Sequence, residues 1–464
     1  MEVLENVNGL YQQVDCGVCG TNNIRINGMD GPYTAVLIDG MPIMSSLATV
    51  YGLNGISPAM IQQIEIIKGP MSTLYGSEAM GGVINVITKS PQTAPPLTLN
   101  TFRTAHGENA IDAGGSRSWG RWSGMTSATL FHNDDYHDDN RDNFTDLPLS
   151  TRTSLFARAM RRDYSGRPHF EISARYYHED RLGGTSEYIE NYSPALRGSP
   201  VLYGETILTH RIETIASWHL RPETGARIDV ALNHHDQDSF YGADSYQARQ
   251  STAFSQLLWP MRLDAHQTLM LGATMRGQRY DDNTGATGTF DAVGTPLGNR
   301  PDNRMIPGLF TQHEWLASDR LRLQTGLRVD YQKDHGWIPS PSANLKINAG
   351  ETTTLRFNTG TGFRIVNLFT EDHSAYSGAR ATILLEDLAP ERSLSGTASV
   401  QHIIDFDSNP MTVDLEGFYT YFTNKIEPDY RQPGKIIYAN LDGSSTTRGL
   451  SLTVSQSLTA IPLT

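Results

Sequence analysis

From about residue 95 onward the chain alternates apolar and polar positions. In Leu321–Tyr331 the odd positions are Leu321, Leu323, Thr325, Leu327, Val329 and Tyr331, and the even ones Arg322, Gln324, Gly326, Arg328 and Asp330. Leu355–Arg364 sets Leu355, Phe357, Thr359, Thr361 and Phe363 against Arg356, Asn358, Gly360, Gly362 and Arg364. Met411, Val413 and Leu415 oppose Thr412, Asp414 and Glu416, and Leu450, Leu452 and Val454 repeat the device. A period of two places successive side chains on opposite faces of a strand. Arg322, Arg328 and Asp330 on one face have no place in a dry core but suit a wet lumen. The pattern predicts strands with one face to lipid and one to a polar interior, a transmembrane antiparallel β-barrel. About sixteen such segments lie between residues 96 and 456, most of them ~10–16 residues long, beyond the usual length in soluble sheets. Connections alternate as well. Asp282–Arg304 and Leu182–Val201 are long and polar, whereas Ser165–Gly166 is a tight turn, as on the two rims of an outer-membrane barrel. A propeller or solenoid would repeat at blade length, and no such repeat occurs.

The first ninety residues follow another pattern. They hold seven of the 14 Met and twelve of the 42 Gly. Val36–Ile38 before Asp39–Gly40 reads as a short buried strand and turn, and Ile61–Lys68 and Val83–Thr88 read as two more strands. Ser57–Pro58 predicts the start of a short helix, with Ser as its cap. The expected organisation is an α+β domain over 1–90, a Pro-containing hinge over 91–97 and the barrel over 98–464.

Composition narrows the classes. Hydrophobic residues are only 38% of 464, which the dilution of a two-faced barrel accounts for. The formal net charge of −13 argues against a nucleic-acid binder, which needs a basic face. No stretch approaches the ~18–20 apolar residues of a membrane helix. Nucleophile elbow, phosphate loop and HExxH motif are all missing, so no enzyme is predicted. A passive porin or surface adhesin is the rival class, but a porin has no use for a ninety-residue domain ahead of its barrel.

The segments Leu37-Ile-Asp-Gly-Met-Pro-Ile43 and Ile61-Gln-Gln-Ile-Glu-Ile-Ile-Lys-Gly-Pro-Met-Ser-Thr-Leu-Tyr-Gly-Ser-Glu-Ala-Met-Gly-Gly-Val-Ile-Asn-Val-Ile-Thr-Lys89 resemble the plug of TonB-dependent outer-membrane receptors. Thr361-Gly-Phe-Arg364, Leu388-Ala-Pro-Glu-Arg-Ser393, Phe418–Ile426 and Arg448-Gly-Leu450 resemble barrel motifs of the same family. The resemblance implies a barrel of roughly 22 strands with the plug inside its lumen. It further implies active import across the bacterial outer membrane, powered by the TonB–ExbB–ExbD complex. The expected cargo is a scarce, large ligand, an iron–siderophore chelate first, with cobalamin, haem and copper as alternatives. No intrinsic cofactor is implied, although the cargo itself would carry iron, cobalt or copper. Lipids of the outer membrane are the other implied partner. With about sixteen strands, no leader, no TonB box and no aromatic closing strand, the sequence reads as a fragment.

Within the plug the resemblance makes Asp39, Gly40, Glu65, Lys68, Gly69, Pro70, Tyr75, Gly76, Gly81, Gly82 and Asn85 structural. Arg25, Glu65, Lys68, Arg322, Arg328 and Glu416 are candidates for ionic contacts between plug and barrel, or equally for solvated charges. Arg25, Met29, Asp30 and Tyr33, with Met41, Met44 and Tyr51 in the next loop, are candidates for a ligand-binding apex. Met and Tyr there suit a flat aromatic or metal-bearing ligand, or ordinary loop packing. His373 stands where haem receptors of the family carry a His, but the flanking Phe-Arg-Ile-Val and Leu-Glu-Asp-Leu depart from their motifs. Cys16 and Cys19 are read as a local disulfide in an oxidising compartment. The alternative is a soft-metal site with Met29, Met41 or Met44. Asp281–Thr284 offers carboxylates to calcium, and no metal site is assigned. For the strand at 321–331 the expectation is that Leu327→Arg impairs assembly and that Arg328→Leu is milder.

Overall fold

Alternation becomes pairing in the computed structural model, which describes residues 7–16, 21–42, 57–76, 79–284, 287–290, 296–366, 381–384, 388–406 and 409–456. The N-terminal region forms β1 (Leu10–Cys16), β2 (Thr21–Ile26), β3 (Thr34–Ile38), β4 (Met41–Pro42), β5 (Ile61–Lys68) and β6 (Gly82–Thr88). The three predicted strands are β3, β5 and β6. They join β4 in a four-stranded sheet of order β4-β3-β6-β5, with β3 parallel to β6. The hairpin β1–β2 was not anticipated. Its Leu10, Ile24 and Ile26 cover Ile84, with Ile64 and Ile66 alongside, so it closes one face of the small sheet. Asp39 and Gly40 both take positive φ (51° and 80°), as the tight hairpin turn from β3 to β4 demands. The predicted helix at Ser57–Pro58 is a single 3-10 turn, Pro58–Met60. Ser57 does not cap it, because the Oγ donates to Asp112 of the barrel at 3.1 Å instead.

Chain order then runs β7 (Thr98–Arg103), β8 (Asn109–Trp119), β9 (Trp122–Asn133), β10 (Leu149–Arg162), β11 (Pro168–Gly184), β12 (Gly204–Arg221), β13 (Ala226–Tyr241), β14 (Asp244–Arg262) and β15 (Gln267–Asp282). It continues with β16 (Gly288–Phe290), β17 (Pro296–Asn299), β18 (Asp302–Ser318), β19 (Leu321–Gln332), β20 (Gly336–Asn348), β21 (Thr353–Arg364), β22 (Ala381–Leu384), β23 (Glu391–Ile404), β24 (Met411–Thr423), β25 (Ile426–Asp429), β26 (Lys435–Asn440) and β27 (Ser444–Gln456). Sixteen of these make one antiparallel sheet, ordered sequentially from β7 to β27, with β16–β17 and β22–β26–β25 lying outside it. The number of long alternating segments in the sequence equals the number of sheet strands.

Burial is inverted relative to a soluble sheet. On β19 the buried side chains are Arg328, Asp330 and Gln332, while Leu327 and Tyr331 are exposed. Ile111, Leu130, Leu155, Ile212, Leu232, Leu309, Phe357, Leu415 and Leu452 continue the exposed apolar face on other strands. Such a surface is stable only against hydrocarbon. Short turns such as Asp163–Arg167 close one rim. There the Asp163 carboxylate accepts from Ser165 N–H, its hydroxyl and Arg167 N–H at 2.7–3.0 Å. The hydroxyl's hydrogen bond, ahead of these backbone donors, holds the Asp163 pKa below its ordinary value. The hinge is fixed to the wall at Ser116, whose Oγ donates to the carbonyls of Ala94 (2.6 Å) and Pro95 (3.1 Å).

Candidate functional site: the plug–barrel interface

The small domain sits in the lumen and touches the wall at three heights. Nearest the short-turn rim is Asp39. Its carboxylate accepts from the N–H and hydroxyl of Thr88 (2.9 and 2.7 Å), which locks the β3–β4 turn to the end of β6. Arg158 of β10 reaches in to the same carboxylate at 3.1 Å, meets the Thr88 hydroxyl, and pairs with Glu171 of β11 at 2.6 Å. His219 stands 3.6 Å from Glu171. Asn85 braces the turn from behind, its Oδ1 accepting from Gly40 N–H (2.9 Å) while its amide donates to Glu65 (3.1 Å). Asp39, Gly40, Glu65 and Asn85 thus form one connected structure. Arg158 and Glu171 were not singled out from sequence, since a charge on a lumen face has many possible partners.

At mid-height Lys68 pairs with Glu416 of β24 at 3.0 Å, and Asn27 donates to the same carboxylate at 3.4 Å. Of the six charges proposed for plug–barrel pairing, these are the two that meet. Arg25 pairs with Asp30 inside the plug (2.7 Å), and Glu65 with Gln63 and Asn85. Arg322 pairs with Glu314 at the rim, and Arg328 grips Asp330 through Nε and Nη2, both at 2.7 Å. Because Asp330 is 1% exposed, Arg328→Leu would strand a buried carboxylate. The expectation of an effect milder than that of Leu327→Arg leaves this cost out.

Next to Lys68, Gly69–Gly76 lies flat on β19–β21. The Thr73 hydroxyl is 2.7 Å from Ser342 Oγ. A Cβ at Gly326 would stand 2.6 Å from Thr73, and one at Gly360 would be 3.3 Å from Pro70. Gly326 and Gly360, on the polar face of these strands, thus leave room for the Thr73 and Pro70 side chains of the plug. Gly81 and Gly82 serve a similar end inside the plug. A Cβ at Gly81 would come within 2.8 Å of Met29, and one at Gly82 within 2.5 Å of the Ile67 carbonyl. Tyr75 is largely buried, which raises its pKa, and Glu65 adds to the rise.

Towards the long-loop rim, Tyr33 donates its hydroxyl to Glu391 Oε1 (3.0 Å). Glu391 also accepts from Arg364 (2.8 Å) and from Ile426 N–H (2.8 Å). The Tyr33 ring lies under the Arg364 guanidinium at 4.5 Å and against Phe422 at 5.2 Å. Three of the sequence motifs, around Arg364, Glu391 and Phe422–Ile426, converge on this one plug residue. Burial, followed by the competing charges of Arg364 and Glu391, drives the Tyr33 pKa far above the ordinary phenol value.

The apex candidates divide. Arg25 and Asp30 remain about 40% exposed (36% and 44%). Met29 (4%) and Tyr33 (3%) are packed with Met80 and Phe422, and Met41 (2%) packs on Phe254 low on the opposite wall. They serve packing rather than presentation to solvent, and Met29 and Met41 belong to separate clusters. Met44, Tyr51, His373 and Cys19 lie outside the described residues, as does the side chain of Cys16. Asp282 directs its carboxylate at the hydroxyls of Tyr280, Thr284 and Thr287 (2.6, 2.7 and 2.8 Å). Among the described residues no group of three or more His, Cys, Asp or Glu is arranged to hold a metal.

Comparison with known proteins agrees with this geometry. Residues 1–83 match the TonB-dependent Receptor Plug Domain, and residues 92–463 the TonB dependent receptor-like β-barrel. The chain is 24% identical over 490 residues to the ferric enterobactin receptor of Pseudomonas aeruginosa, covering 91% of this chain and 65% of that one. It is 25% identical over 425 residues to an iron-regulated outer membrane virulence protein of Vibrio cholerae, covering 88% and 61%. The chain thus spans less than two thirds of the length of these relatives. The solved Pseudomonas aeruginosa ferric enterobactin receptor in complex with enterobactin superposes with a TM-score of 0.74 at 17% identity, over 97% of this chain and 75% of that one. With plug, barrel and their seating all in place, the chain belongs to the TonB-dependent receptor family of the bacterial outer membrane.

Proposed function

We propose that the protein imports a scarce, large ligand across the outer membrane, most specifically an iron–siderophore chelate, with energy delivered by the TonB–ExbB–ExbD complex. The observation that carries this reading is the way the plug is held. Its described polar contacts to the wall are separate side-chain contacts, among them Asp39–Arg158, Lys68–Glu416, Tyr33–Glu391, Ser57–Asp112 and Thr73–Ser342. Each joins groups that water can resolvate as they part. A pull on the plug therefore need not unfold the barrel. Among the described plug residues on the long-loop side, Arg25 and Asp30 keep charged side chains partly exposed, and they form part of its share of the ligand contact. Iron enters as part of the cargo and is not a resident cofactor. The ferric siderophore receptors among the relatives support the choice of cargo.

The test is a binding screen on the full-length protein, by intrinsic tryptophan quenching, against ferric catecholates, ferric hydroxamates, haem, cobalamin and Cu(II). Saturable binding of a ferric chelate, with uptake lost in a TonB-deficient strain, is the expected result. Binding of cobalamin, haem or copper alone would replace the cargo. Uptake unaffected by loss of TonB would refute the mechanism.

A further inference from the structure

The outer face of β8–β11 carries a feature that plug and cargo do not use. Cross-strand pairing aligns Trp119, Trp122, Arg161 and Phe170 in one row at the short-turn rim. The next row is Arg117, Gly124, Ala159 and Ile172. Trp119 and Trp122 are 53% and 37% exposed, and the Trp119 ring lies over Gly124, 3.0 Å from where a Cβ would stand. Above the aromatic row the small residues leave an open apolar groove of about 700 Å³, lined by Trp119, Ala157, Ala159, Ile172 and, as its outward charge, Arg117.

The charges around this groove are unmatched. Arg117 and Arg161 have no carboxylate partner among the described residues, and neither has Arg121 at the adjoining turn. Arg161 stands 6.0 Å from the centre of the Trp122 ring, and Arg121 lies 4.1 Å over Tyr164. In a chain of net charge −13, three outward arginines without acids, beside interfacial tryptophans, form a local site for an anion. An apolar groove lined by Arg117, one row from Arg161, calls for an anion that carries a hydrocarbon chain.

We propose that this face holds an anionic glycerophospholipid of the short-turn leaflet. Its phosphate lies among Arg117, Arg161 and Arg121, and one acyl chain runs in the groove over Gly124 and Ala159. The inference rests on the barrel standing in the outer membrane, not on the identity of the cargo. The aromatic row sets the depth of the headgroup, and the arginines select its charge.

The test uses the full-length protein equilibrated with vesicles of phosphatidylglycerol or phosphatidylethanolamine, then examined by native mass spectrometry for retained lipid. Wild type should retain phosphatidylglycerol in preference to phosphatidylethanolamine. R117Q/R161Q should lower phosphatidylglycerol retention about thirtyfold and leave phosphatidylethanolamine unchanged. Ala159→Leu, which fills the groove without touching charge, should reduce phosphatidylglycerol retention as well. If the double variant fails to show the heat-modifiable mobility of a folded barrel, R117Q alone should give about a fivefold loss. Equal retention of the two lipids by wild type, unchanged retention in the arginine variants, or full displacement by inorganic phosphate would each overturn the proposal. None of these measurements involves the cargo, so failure of the import reading would leave the result standing.

Discussion

Glu391→Gln is the most direct probe of how the plug is seated. Glu391 is 0% exposed and gathers Tyr33 from the plug, Arg364 from β21 and the Ile426 N–H from the loop after β24. Glutamine keeps a carbonyl oxygen for Tyr33 and Ile426 but removes the charge that balances Arg364, whose side chain is 9% exposed. Removing one partner of a buried pair costs about 3–5 kcal/mol. With shape and acceptor retained, the lower end applies, about 3 kcal/mol or roughly a hundredfold in the local opening equilibrium. Hydrogen–deuterium exchange with peptide resolution should show that acceleration in segments covering 388–394 and 424–428, and also across the lumen in 29–37. Tyr33→Phe keeps the ring on Phe422 and loses only its hydrogen bond. It should accelerate 29–37 about tenfold and hardly touch 424–428. Exchange in Glu391→Gln within threefold of wild type would show that the convergence carries no energetic coupling. An effect of Tyr33→Phe as large as that of Glu391→Gln would refute the division between charge and hydrogen bond.

Arg328→Leu should impair assembly about as strongly as Leu327→Arg, the first by leaving Asp330 buried and unbalanced, the second by placing a charge in lipid at about 2–4 kcal/mol. The double change R328L/D330L should recover most of the folded fraction in a heat-modifiability gel, whereas no second change at Asp330 should rescue Leu327→Arg. Gly82→Ala, forced against the Ile67 carbonyl, should destabilise the plug by about 3 kcal/mol and expose it to limited proteolysis while the barrel stays resistant. A double-mutant cycle of Lys68→Met and Glu416→Gln should give a coupling of only about 1 kcal/mol, because Lys68 is still 22% exposed. The raised pKa of Tyr33 means that its contact is complete below the unfolded phenol value near pH ~10 and lost only above it. Protection of plug amides, taken relative to their intrinsic exchange rates, should therefore be flat from about pH 6 to 9, and the 295-nm titration of Tyr33→Phe should overlay that of wild type until well past pH ~10.

The barrel was legible because a wall between lipid and polar lumen forces a period of two on every strand, and that period survives in Leu321–Tyr331 as plainly as in Leu450–Val454. The plug sheet was legible where it is β-branched, in Val36–Ile38, Ile61–Lys68 and Val83–Thr88. The hairpin β1–β2 was not, since Gln12, Gln13, Asn22 and Asn23 dilute its apolar pattern and its stability comes from Ile84 beneath it. Charge pairing was legible only in part. Lys68 and Glu416 met as proposed, whereas Arg158, which links Asp39, 119 positions before it, to Glu171, 13 positions after it, was not singled out, because a lumen-facing charge carries no sequence signal of its partner. The burial of Met29 was illegible for a related reason. Nothing local in Arg25–Tyr33 distinguishes a methionine facing solvent from one facing Phe422.

Gly326 and Gly360 leave the wall bare beneath Thr73 and Pro70. Side chains that interdigitate must change rotamer, or lift over one another, before two packed surfaces can slip. Here the two glycines clear the wall beneath Thr73 and Pro70, so these two side chains can shift locally without lifting over a wall side chain at those points. Resistance to a pull then includes the hydrogen bond of Thr73 to Ser342 within that path as well as the ionic and hydrogen-bonded tethers at either end. The plug behaves as a tethered slider rather than a wedged cork: its release is a matter of parting polar contacts, Lys68 from Glu416 and Thr73 from Ser342 among them.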